Sequence, residues 1–226
     1  IRKCDKPRVC IDHHEGGDEG FADVFVSDTT AAAAGVLIYD LIRYMDGEFT
    51  PAITDALYTA VITDTGTFRF SNTDQRVFLA AADLCKKGAE PFTLHRKVFA
   101  RRWGAARLAG ATLSTLDSAA GGRLAWIHAT QAMFKQAGAK YEDSDGLLDV
   151  IRAIDGVELC LFFKENPDGS IKVSLRSNGR VDAYAIALRH GGGGHRMAAG
   201  LSLDGPMRTA IEALVAECVS KDIPSE

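Results

Sequence analysis

Three consecutive side chains able to hold a metal, Asp12, His13 and His14, close the short apolar run Val9-Cys10-Ile11. Lys6 to Ile11 reads as a strand that ends at Asp12. Side chains alternate on an extended strand end, which puts Asp12 and His14 on one side and His13 on the other unless the chain turns at once. The carboxyl end of a parallel strand is where ligands collect in open α/β sheets. Imidazole with carboxylate suits manganese, iron or zinc rather than calcium. A metal-bound His needs an acceptor on its other nitrogen, and a neighbouring Asp can serve. The plain alternative is a polar strand end with solvated imidazoles. A further carboxylate, Asp64, follows the apolar LYTAVIT and precedes Thr65-Gly66-Thr67-Phe68-Arg69. At a helix C-terminus its charge opposes the dipole, so a partner cation is expected.

A second group of residues lies in RHGGGGHRMAAG. Successive glycines, Gly192, Gly193 and Gly194 among them, let backbone amides approach an anion. If the residues after them were helical, they would add a helix N-terminus. His195 at the junction could donate to a phosphate or carboxylate. Upstream, Arg176 and Ser177 end a strand in VSLRSNGRVDA and offer a bidentate cation and a hydroxyl. Arg180 and Arg196 add charge. A flexible loop and ordinary surface arginines are the alternative readings.

The elements that must position these residues follow from pattern and capping. The stretch from Glu15 to Ser27 is glycine-rich and acidic and reads as a loop. SDTTAAAAGVLIYDLIRYM predicts a helix capped by Ser27, Asp28 or Thr29. TPAITDALYTAVITDTGTF predicts a second, with Thr50 as N-cap, Pro51 at the first helical position and Asp64 at its end. TDQRVFLAAADLCKKGAE predicts a third, stopped by Gly88. The stretch from Pro91 to Ala119 reads as helical with a break near Gly104. Beyond Gly121-Gly122 the pattern predicts a strand in RLAWIHAT, then helices in TQAMFKQAG and GLLDVIRAI. A hairpin of VELCLFFKE and SIKVSLRS about an Asn-Pro-Asp-Gly turn follows. VDAYAIALRHG predicts a helix, GGGGHRMAAG a turn, LSLDG a strand and Pro206 to Val219 a last helix. The fold class is α/β in two domains: residues 1–93 with a partial parallel sheet, a helical connector over 94–120, and a smaller mixed-sheet domain over 121–226.

Composition narrows the partners. A net charge of −4 gives no global attraction for nucleic acid, so any phosphate must be met by local cations. No apolar run reaches the length of a transmembrane helix, no signal peptide pattern is present, and a cytoplasmic location is expected. Five cysteines without a Cys-x-x-Cys pair read as free thiols, with Cys10, Cys85 and Cys160 in apolar surroundings.

Together, IDHH with ITDTGTFRF downstream resembles the DHH phosphoesterase superfamily. GGGGHRMAAG, preceded by LRSNGRVDA, resembles its DHH-associated C-terminal domain with the G-G-G-H-x-x-A-A-G signature. The resemblance covers essentially the whole chain and is greatest to the nano-RNase/pAp phosphatase branch. It implies a site for two divalent metals, usually manganese, with His13 and Asp64 as metal ligands. Asp12 and His14 would be catalytic groups that support the ligands or orient phosphate. Arg176, Ser177, His195 and Gly192 to Gly194 would hold the substrate's phosphate and terminal nucleotide. The implied function is two-metal hydrolysis of short oligoribonucleotides or 3′-phosphoadenosine 5′-phosphate across an interdomain cleft, in a possible homodimer. The family's earlier metal-binding motifs should precede the DHH motif, yet residues 1–11 offer only Asp5, read as loop. The chain is therefore expected to lack a natural N-terminal part. A noncatalytic nucleotide-binding fragment, a degenerate member and a RecJ-like exonuclease on longer single strands stay open as alternatives.

Overall fold

The computed structural model describes residues 6–14, 20 and 22–223. Asp5 and part of the glycine-rich stretch after His14 lie outside the described residues. The chain divides into two compact units, Ile1–Ala100 and Arg101–Glu226.

In the first unit, strands β1 (Val9–Asp12) and β2 (Val24–Ser27) pair in parallel, with Asp12 opposite Ser27. The expected loop from Glu15 to Ser27 thus ends in a strand, VFVS, whose apolar alternation was masked by its acidic flank. Helix α1 (Ala34–Tyr44) starts later than expected. Its N-cap is Ala33, with no side-chain cap, and Asp28 has another task. The Asp28 carboxylate accepts from the amide and hydroxyl of Thr30 and from Arg76, which folds the approach to α1 into a turn. Helix α2 (Pro51–Asp64) has the expected Thr50 cap, which accepts from the Ile53 amide, and ends on Asp64. Helix α3 (Gln75–Lys86) is capped by Asp74, and α4 (Pro91–Phe99) follows. Tyr39, Leu57, Tyr58, Ile62, Leu84 and Leu94 form the core among the helices. A smaller cluster of Ala33, Val36, Val61 and Val77 lies beside it. Gly35 lets α1 and α2 approach closely, since a Cβ there would stand 2.7 Å from that of Ala60.

In the second unit, α5 (Trp103–Leu113) continues without interruption through Gly104. The expected helical break near Gly104 falls at Ala100–Arg102, where the backbone is extended. Gly104 is needed for contact: a Cβ there would lie 2.4 Å from the Gly138 carbonyl. Strand β3 (Asp117–Ala119) then forms where helix was expected. After it come β4 (Leu124–Ala129), α6 (Gln131–Ala137), α7 (Leu147–Arg152), β5 (Leu159–Glu165), β6 (Ile171–Ser177) and α8 (Ala183–Arg189). Strands β7 (Gly193–His195) and β8 (Ala198–Leu203) and helix α9 (Met207–Lys221) complete the order. The mixed sheet runs β3-β4-β5-β6-β8-β7, with β4 and β5 parallel and the other pairs antiparallel.

Because strand side chains alternate, the central strand β5 feeds two cores. Leu159, Leu161 and Phe163 meet Val173, Leu175, Ile186 of α8 and Leu214 of α9 on one face. Cys160 and Phe162 meet Leu108 of α5, Phe134 of α6 and Ile151 of α7 on the other. Cys10 is partly buried and Cys160 fully so, but Cys85 is exposed and Cys218 takes its place among the buried thiols. The outward face of α3 carries Cys85, which an apolar local sequence did not reveal.

Candidate functional site

At the end of β1 the chain turns at once. Asp12 Oδ1 accepts from the His13 amide at 2.7 Å, the His14 amide at 3.1 Å and His14 Nδ1 at 2.7 Å. These bonds favour the ionised carboxylate, and the one from the His14 ring contributes most in holding the Asp12 pKa below its usual range. Asp12 therefore braces His14 rather than His13. The acceptor for His13 is a backbone group: its Nδ1 lies 3.2 Å from the Ala31 carbonyl. A carbonyl can only accept, so Nδ1 carries the proton of that contact. Nε2 lies 3.6 Å from Asp64 Oδ2.

First-row ions hold nitrogen and oxygen donors at about 2.0–2.2 Å, so two donors on one ion stand about 3–3.6 Å apart. The His13–Asp64 pair fits that requirement in donor type and spacing. Among the described residues no group of three or more His, Cys, Asp or Glu side chains is gathered to hold an ion. The pair therefore offers two donors, with His14 turned toward Asp12.

The turn after Asp64 is unusual. Gly66, Thr67 and Phe68 all have positive φ, at 55°, 60° and 63°. Two non-glycine residues in this region are strained and persist only if over-determined. The buried Thr65 hydroxyl donates to the Val61 carbonyl at 2.6 Å and accepts from the Phe68 amide at 3.1 Å. Arg69 Nε donates to the Gly66 carbonyl, and Phe68 stacks on Phe78 of α3. Asn72, which the sequence reading did not single out, joins the two halves of the site. Its one amide nitrogen donates to the Asp64 carbonyl at 3.0 Å and to the Ala32 carbonyl at 3.2 Å. Ala32 adjoins Ala31, the acceptor for His13, so one carboxamide ties the segment orienting His13 to the end of α2. Its sequence signal was only a polar residue between Ser71 and Thr73, which also describes an ordinary turn.

In the second unit GGGGHRMAAG is a strand hairpin, and no helix N-terminus follows the glycines. Gly193, Gly194 and His195 pair with Gly200, Ala199 and Ala198. Glycine is required at Gly194, where φ is 138° and a Cβ would lie 2.5 Å from the Ala198 carbonyl. Ala198 also lies opposite Arg176 on β6. Directly opposed residues of antiparallel strands project from the same face. Arg176, Ala198 and His195 thus form one transverse row, with the two cationic-capable side chains flanking a methyl group. Strands stand about 4.8 Å apart, so the row spans about 10 Å. Lys172 lies on the same face of β6, while Ser202, Gly200 and Gly193 pave its neighbours. Ser177 is different. It is fully buried on the opposite face, and its hydroxyl accepts from the Gly179 amide at 3.0 Å.

Residues 127–221, from the middle of β4 to the last residue of α9, match the family model of the DHHA1 domain. Most of the second unit is thus similar to the DHHA1 domain. By sequence the chain is a homologue of proteins named bifunctional oligoribonuclease and PAP phosphatase NrnA. It is 39% identical to the one from Thermus thermophilus over 197 residues, 87% of this chain and 59% of that protein. It is 26% identical to the one from Bacillus subtilis over 198 residues, 85% of this chain and 61% of that protein. The chain spans about three fifths of the length of these curated relatives. The crystal structure of an exopolyphosphatase-related protein from Bacteroides fragilis matches with a TM-score of 0.84 at 26% identity, covering 94% of this chain and 64% of that one.

Proposed function

We propose that the chain is part of a divalent-metal-dependent phosphoesterase that hydrolyses short oligoribonucleotides, 3′-phosphoadenosine 5′-phosphate, or both. The observation that carries this reading is the His13–Asp64 pair, with Nδ1 of His13 turned to the Ala31 carbonyl and Nε2 3.6 Å from Asp64 Oδ2. Bound divalent ions, two of them manganese by the family resemblance, lower the pKa of water and neutralise charge building on phosphoryl oxygens. His13 and Asp64 supply donors to that centre. Asp12 fixes the ring of His14, whose exposed edge is free to orient a phosphate or a water. Arg176 and His195 hold the substrate's phosphate and terminal nucleotide over a floor of small residues, and the spacing of Gly192 to Gly194 keeps that floor low. Ser177 contributes by shaping the turn at the end of β6.

Manganese titration tests the centre, and hydrolysis of a dinucleotide and of 3′-phosphoadenosine 5′-phosphate tests the reaction. His13→Ala and Asp64→Ala should each weaken manganese binding. His195→Ala and Arg176→Ala should raise KM for the dinucleotide while leaving manganese affinity unchanged. An unchanged KM in both sinks the substrate role. The restricted donor set favours a second reading, a nucleotide-binding part that does not assemble the metals by itself. Manganese stoichiometry near zero with nucleotide binding intact would select it. Preferential hydrolysis of long single strands would select the exonuclease reading instead.

A further inference from the structure

The face of the sheet opposite the Arg176–His195 row holds a cavity of about 720 Å³ at the β3–β4 edge, where α9 only partly covers the sheet. That volume suits a small molecule. Trp126 and His128 of β4 form its floor, and Ile211 and Val215 of α9 form an apolar wall. Neither the His128 ring nor the Trp126 indole N–H has a hydrogen-bond partner among the described residues. The nearby hydroxyls are already engaged. That of Thr115 donates to the Thr112 carbonyl and accepts from the His128 amide, and that of Thr130 caps α6. Two half-buried polar groups, one of them on an indole, therefore line the cavity beside an apolar wall, which is the composition of a ligand pocket.

The rim decides the class of ligand. Among the described residues Asp117 has no cationic partner, and Arg208 is engaged by Glu212 at 2.7 Å. Two carboxylates against one guanidinium leave a net negative rim, which repels phosphate. Burial pushes the His128 pKa below its usual value, so the ring is neutral and presents one donor and one acceptor. Stacking on an indole requires a flat ligand. We propose that this cavity binds an uncharged planar heteroaromatic with an exocyclic amine, of the aminopurine nucleoside kind, at a site separate from the phosphate-facing row. The row lies on the other face, and three strands intervene between β4 and β7. The proposal does not depend on the hydrolytic reading, and its test involves neither metal nor turnover.

The chain has two tryptophans, and Trp103 is 82% exposed, so Trp103→Phe leaves Trp126 as the sole indole reporter. Adenosine titrated into this variant of the full chain should quench its fluorescence saturably, with a dissociation constant of about 1 mM or below. Adenosine 5′-phosphate should bind at least about threefold more weakly, because of rim repulsion. Ala216→Phe, at an exposed position lining the cavity, should abolish the quenching. Asp117→Lys, on the exposed edge strand, should reverse the preference between the two ligands. The proposal is overturned by an absence of saturable quenching, by tighter binding of the phosphate, or by quenching that survives Ala216→Phe. An unaltered preference in Asp117→Lys overturns it as well. A change in fluorescence that follows protein concentration rather than adenosine would assign the cavity to a second copy of the chain and also overturn it.

Discussion

His13 is oriented by a carbonyl and Asp64 by the end of a helix, and a single amide nitrogen on Asn72 reaches both backbones. Asn72→Asp is nearly isosteric but replaces the donor with an oxygen facing two carbonyl oxygens. Groups that orient metal ligands are typically worth 10–100-fold in metal affinity. The expected outcome is manganese binding weakened about tenfold, measured by calorimetry, with a melting temperature lowered by only about a few degrees because the side chain is exposed. Equal manganese affinity in the variant would remove Asn72 from the site. Gly194→Ala tests the other half. Its φ and the 2.5 Å approach to the Ala198 carbonyl leave no room for a methyl group. A stability loss of about 1–3 kcal/mol in urea denaturation is expected, with the β7–β8 amides losing protection from exchange. At this scale the sequence marked His13, Asp64, Arg176 and His195 as candidates through their chemistry. It hid the bridging position of Asn72, which comes from the carbonyls it meets, and the full burial of Ser177, which depends on strand phase.

Between elements, the approach to α1 is held by charge. Arg76 of α3 donates to Asp28 at 2.9 Å and to Asp40 of α1 at 2.7 Å, while Thr30 donates twice to Asp28. These donors, the Thr30 hydroxyl first and Arg76 next, hold the Asp28 pKa at about 2. A depressed folded-state pKa contributes stability that is fully present above the unfolded value near 3.8 and lost as pH falls through about 2. Asp28→Asn should therefore lower the melting temperature at pH 7, and the two melting curves should converge as the pH approaches 2. A constant gap across that range would show that the charge is not the cause. The helix and strand patterns made α2, α3, β5, β6 and the Thr50 and Pro51 start legible, because period and capping are local. They misplaced the start of α1, since alanines propagate a helix while Asp28, Thr30 and Arg76 divert the preceding chain. They missed β2 and β3, which are short strands defined by their partners.

Across the whole molecule, both cores of the second unit are built from residues within it, from Leu108 of α5 to Ile223 just beyond α9. Residues 101–226 expressed alone should therefore fold cooperatively, with a dispersed amide spectrum and a single urea transition. A molten spectrum would show that the first unit is required. The first unit offers a smaller helical core and a parallel strand pair with Val9, Val24 and Val26 exposed. The α/β class, the candidate donor residues and their order along the chain were legible from local sequence. Side-chain chemistry, helix period and turn residues are properties of short segments. The tertiary structure set the pairing of Asp12 with His14 and of His13 with a backbone carbonyl, and put Arg176 and His195 in one row across Ala198. It also decided that the glycines form a strand and that Trp126 and His128 line a cavity. Those outcomes depend on strand register and on contacts between residues far apart in sequence, and no local pattern encodes them.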